Sequence, residues 1–127
     1  MEAVPGVISA KVPFYPNILK VKNIHGVVHL RITTDGIKIT QIDIVDGNPE
    51  LAKVAIENVK TWEFRAHKPI VFISKFTYSI KVVPPCEPNE HNKDVVILSL
   101  PSTVEVHATW QGECDPVAEG KGNRKNN

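Results

Sequence analysis

The sequence predicts an α+β domain, with two helices packed on one face of an antiparallel sheet. Three observations carry this expectation. Residues 27–33 and 37–45 alternate apolar and polar positions around Asp35-Gly36, the pattern of a β-hairpin. Residues 49–62 repeat apolar positions at helical spacing behind Asn48-Pro49. Residues 70–82 and 95–110 are rich in β-branched and aromatic residues, which suit strands. The chain has 127 residues, 42% hydrophobic and 23% charged, which fits one globular domain with a real core.

Taken in order, residues 7–11 suit a short strand. Tyr15-Pro16 opens a helix, with Pro16 at its first position, where a missing N–H costs nothing. Ile18, Leu19, Val21 and Ile24 form its apolar stripe, and Gly26 is suited to a left-handed cap. In the strand 27–33, Val28, Leu30 and Ile32 point inward, while Val27, His29 and Arg31 point outward. In its partner, the inward positions are Ile37 and Ile39, then Ile42 and Ile44. That change of parity predicts a β-bulge near Thr40-Gln41.

Asn48 is the expected cap of the second helix, with Glu50 favourable in its first turn. Leu51, Ala52, Ala55, Ile56, Val59 and Trp62 form its buried face; Lys53, Glu57, Asn58 and Lys60 take the solvent side. Trp62 and Phe64 are expected in the core rather than in a binding groove. Ile70–Val82 reads as one long strand with Phe72, Phe76, Tyr78, Ile80 and Val82 on one face. Ser74, on that face, marks a thin place in the core. Residues 84–93 are polar and Pro-rich and read as a loop. Val95–Leu100 and Val104–Trp110 are two further strands, and the chain from Asp115 on is expected to be disordered.

Charge narrows the function. Fifteen Lys and Arg against fourteen Asp and Glu give a net charge of +1. The basic residues are scattered, apart from Lys121, Arg124 and Lys125 near the end, so no nucleic-acid partner is indicated. No apolar run approaches the ~18–20 residues of a membrane helix, and the start lacks a signal pattern.

Four segments, in order, resemble the C-terminal domain of the TonB family of energy transducers. They are Tyr15-Pro16 with Ile24-His25-Gly26; Gly26 to Ile32 with the Asp35-Gly36 turn; Gly47-Asn48-Pro49-Glu50-Leu51 through Ala55 and Val59; and Trp62-Glu63-Phe64-Arg65. The likeness covers roughly residues 12–82. It implies a three-stranded antiparallel sheet with two helices on one face over residues 1–83. Residues 84–127 would then be an appended β-hairpin and tail within the same globule. It also implies a periplasmic module, in contact with a membrane only indirectly. Such a module captures an extended TonB-box peptide of an outer-membrane transporter by β-augmentation. The strand matching the docking edge is Ile70–Val82, with Lys75, Thr77, Ser79 and Lys81 as the peptide-binding edge. The chain departs from the family in lacking an N-terminal anchor and a Pro-rich spacer, and in adding residues 84–127. The added strands could cover the docking edge. A homodimer paired through such an edge belongs with a structural or assembly role.

Chemistry-bearing residues are few. Cys86 and Cys114 suit a disulfide, worth on the order of 3 kcal/mol for a loop of this size. The alternatives are free thiols, a redox pair, or a metal site with His91 and His107, although the spacing is not that of a zinc module. His29 and Arg31 read as a solvated sheet face, His67 as an exposed loop residue, and Asp46 as a turn residue beside Asp43. No nucleophile elbow, zinc-protease helix or phosphate loop is present, so neither an enzyme nor a cofactor is expected.

Overall fold

The computed structural model describes residues 4–85 and 94–111. Its elements are β1 (Val7–Ser9), α1 (Asn17–Val21), β2 (Gly26–Thr34), β3 (Ile39–Asp46), α2 (Pro49–Val59), β4 (Glu63–Phe64), β5 (Ile70–Val83), β6 (Val95–Ser99) and β7 (Thr103–Gln111). The α+β class is present, but the sheet is larger than the three antiparallel strands expected. Five strands run in the order β3-β2-β5-β7-β6, and β1 with β4 makes a separate two-stranded sheet.

The hairpin β2–β3 forms around Asp35, whose carboxylate accepts the backbone N–H groups of Ile37 and Lys38, each at 2.9 Å. The expected bulge is present. Thr33 faces Gln41 but Thr34 faces Ile39, so Thr40 is the extra residue. A second irregularity lies between His29 and Leu30. Ile37 is not an inward strand residue: it lies in the turn and is 71% exposed.

Asn48 caps α2, its side-chain oxygen accepting from the N–H groups of Glu50 and Leu51. The helix ends at Val59, short of Trp62, and buries Leu51, Ala52, Ala55 and Val59 in one core with Val28, Leu30 and Ile32 of β2. Gly47 makes this approach possible. Its φ is +120°, and a Cβ there would stand 2.8 Å from the Val28 Cα. Asn58 is not on the solvent side. It is buried, donating to the Lys11 carbonyl and accepting from the Trp62 indole N–H at 3.0 Å. Trp62 and Phe64 are core residues, and Trp62 stacks on Phe76 with ring centres 6.0 Å apart.

The first helix is shorter than its stripe suggested. It spans only Asn17–Val21, with Pro16 as its cap rather than its first residue; the left-handed residue that directly follows it is Asn23, while Gly26, also at positive φ, opens β2. Five residues cannot turn a whole stripe inward, so Leu19 alone is buried while Ile18 and Val21 are exposed.

The last two strands change the architecture most. After β5 the chain returns one position further out as β6, and β7 then turns back into the gap, parallel to β5 and antiparallel to β6. The hairpin is therefore part of the main sheet. The register places Val104 beside Phe76, Val106 beside Tyr78 and Ala108 beside Ile80. All three β7 residues are buried. That gain explains the insertion: β7 continues the apolar row of β5 and occupies its ladder groups. Near the end of β5 the parity slips, so Val82 is 65% exposed and Val83 is buried. Ser74 is fully buried, and its hydroxyl donates to the Pro101 carbonyl in the turn between β6 and β7.

Candidate functional site

One sheet face is covered by the helices, and the other is open. Lys75, Thr77, Ser79 and Lys81 alternate with the buried Phe76 and Tyr78, so their side chains stand on the open face. On the side that faces β7 their backbones are not at a free edge. Lys75 is paired with Thr103, Thr77 with Glu105, Ser79 with His107 and Lys81 with Thr109, while β2 holds the other side of β5 through Tyr78, Thr77, Phe76 and Lys75. The β5 edge assigned to peptide docking is thus filled by the chain's own β7, because an apolar strand of matching alternation was at hand to cover it.

That pairing assembles a group which sequence reading missed. The Ser79 hydroxyl lies 2.5 Å from His107 Nδ1, and His107 Nε2 lies 2.8 Å from Glu105 Oε1. An ionised carboxylate only accepts, so Nε2–H donates to Glu105. The order serine, histidine, carboxylate resembles a nucleophilic relay. At Ser79 the β5 backbone is paired to β7 on one side, and the register with β2 ends one residue earlier, at Tyr78. The group stands on the open sheet face and links β5 to β7 side chain to side chain. The alternation placed Ser79 and His107 on polar strand faces. Nothing local told that the two strands would be neighbours.

The other expected site residues are dispersed. His29 Nδ1 meets Asp46 Oδ1 at 2.8 Å across β2 and β3. His67 is engaged at both nitrogens, by the Thr34 hydroxyl and the Arg65 carbonyl. Cys86, His91 and Cys114 lie outside the described residues. His107, the remaining member of the metal reading, has both ring nitrogens occupied as above. Among the described residues no group of three or more His, Cys, Asp or Glu could hold a metal ion, and no helix is long and apolar enough to cross a membrane.

The outer strands of the large sheet, among the described residues, are β3 and β6. Beside β3 runs a groove of about 560 Å³, open to α2, with Ile39, Ile42, Ile56 and Trp62 as its apolar lining and Lys38 and Lys60 as its charges. No carboxylate lines it. Lys60 also reaches Glu57 at 3.3 Å, an exposed pair. A smaller, apolar cleft of about 280 Å³ lies between residues 11–14 and α2.

Two buried tyrosines sit behind the sheet centre. Tyr15 and Tyr78 meet edge to face at 5.4 Å. The Tyr15 hydroxyl donates to the Ile24 carbonyl at 2.5 Å, whereas the Tyr78 hydroxyl has no partner among the described residues. Burial pushes the Tyr15 phenol up to about 12. It raises Tyr78 too, and the neighbouring Tyr15 adds to that rise.

These features define a class: an α+β domain with one covered face, one open face and two outer strands. No protein-family model matches the sequence, and no match to it is found among curated proteins.

Proposed function

We propose that the chain is a non-enzymatic protein-binding module of the TonB type, acting in the periplasm. It captures an extended segment of an outer-membrane transporter by strand addition, as part of energy-dependent transport. The receiving edge in this reading is β3, since β7 occupies the ladder of β5 from Lys75 to Val83. One observation carries it: the outer strand β3 is flanked by a groove that joins the apolar side chains of Ile39, Ile42, Ile56 and Trp62 to Thr40, Gln41 and two lysines, with no carboxylate in its lining. A segment laid along β3 would hydrogen-bond through its main chain. Alternate side chains would enter the groove, apolar ones over Ile42, Ile56 and Trp62, and an acidic one near Lys38 or Lys60.

Amide hydrogen exchange tests this, with a synthetic transporter N-terminal segment carrying alternating apolar residues and one carboxylate. The expected result is slowed exchange in Ile39–Asp46, with Ile70–Val83 unchanged. Slowed exchange in β5 with faster exchange in β7 would instead place docking at β5 by strand exchange. The absence of any change would favour a second reading, a structural or assembly domain. That reading has its own support, because the β5 ladder from Lys75 to Val83 is already closed by Thr103 to Gln111.

A further inference from the structure

We infer that β6 is a self-association edge, through which two copies of this chain join their five-stranded sheets. This stands independently of peptide capture, which uses the opposite edge. The two outer strands differ in chemistry. An outer strand that must not pair with a second copy of itself carries charges, which meet like charges across a two-fold, or bulges. β3 has both: Asp43 and Asp46 lie within it, and its pairing to β2 is interrupted twice. β6 has neither. Val95, Val96, Ile97, Leu98 and Ser99 carry no charge, and their five-pair register with β7 is unbroken. Val95, Ile97 and Leu98 are 52%, 50% and 42% exposed.

The occupant this edge fits best is itself. An antiparallel two-fold about Ile97 sets Ile97 against the second copy's Ile97, Val96 against Leu98 and Val95 against Ser99. Every pair is then uncharged, and no like charges meet. The alternation also agrees on both faces. Val95, Ile97 and Ser99 meet on the open face, and Val96 and Leu98 meet on the helix side, next to their β7 neighbours Val106 and Val104. The start of β6 is held in place by Asp94, which binds Lys20 of α1 at 2.9 Å and the Thr109 N–H at 3.2 Å. The edge is thus presented by a fixed strand, which lowers the ordering cost of association.

Sedimentation velocity of the full chain, over a concentration series to about 100 μM, reads the outcome. The expected result is a monomer–dimer equilibrium. Ile97→Lys should weaken it by at least about tenfold, since a two-fold axis brings the two lysines face to face. Val95→Lys is a second variant, and both side chains are half exposed, so the core is untouched. Val45→Lys on β3 should leave the dimer unchanged. A wild-type chain that is monomeric throughout overturns the inference. So does a dimer that survives both β6 substitutions in folded protein, because its interface would lie elsewhere.

Discussion

The Ser74 hydroxyl donates to the Pro101 carbonyl, fastening the middle of β5 to the turn that joins β6 to β7. A small polar residue on the apolar face of a central strand is therefore an anchor for the last hairpin. It leaves room for the turn, and it satisfies a carbonyl that water does not reach.

Ser74→Ala should destabilise the domain by about 1 to 3 kcal/mol, the cost of leaving a buried acceptor without its donor. Urea unfolding would measure it. Exchange in β7 should rise more than exchange in β2, since the lost bond lies on the β7 side. Equal increases in both strands would deny Ser74 its anchoring role.

Asn58 joins three segments: α2, the Lys11 backbone and the Trp62 indole. Asn58→Ala removes a donor and an acceptor together. The expected loss is about 2 kcal/mol or more, with Trp62 fluorescence shifted as its N–H finds water. An unchanged unfolding midpoint would show that these bonds contribute little.

Gly47 and Gly26 both have positive φ, yet they should respond differently to alanine. At Gly26 a Cβ meets nothing within 4 Å, so only backbone strain of about 1 to 3 kcal/mol is added. At Gly47 it meets the Val28 Cα at 2.8 Å and the Val27 carbonyl oxygen at 2.9 Å. Gly47→Ala should cost about 3 kcal/mol or more, enough to separate the two variants in thermal unfolding.

The chain has two tyrosines, and both phenols are raised by burial. A phenol whose folded pKa lies above its unfolded value favours the folded state while protonated. That contribution is complete below pH 10, the ordinary value, and is lost as pH rises through the folded value, about 12 for Tyr15. Absorbance at the tyrosinate band should therefore show no step near pH 10 in the folded protein, and a steep rise with unfolding above it. A reversible step near pH 10 with the fold intact would contradict the burial of both rings.

Local features were legible in the sequence because they depend on neighbours in the chain. The Asp35 turn, the Thr40 bulge, the Asn48 cap and the inward row Val28, Leu30, Ile32 all follow from turn chemistry and alternation over a few residues. The α+β class follows from them. Where a residue's role depends on a distant segment, the sequence is silent. Asn58 is polar and sits at a solvent-facing helical position until Lys11 and Trp62 give it partners. Ser79 and His107 are both outward on their strands until parallel pairing sets them side by side. Alternation in β7 announces a strand with one apolar face, but it does not state which ladder the strand will join. Tertiary structure decided that, because inserting β7 beside β5 buries Val104, Val106 and Ala108 and satisfies backbone groups on both strands. The same insertion closed the β5 edge from Lys75 to Val83 and left β3 and β6 as the outer strands among the described residues.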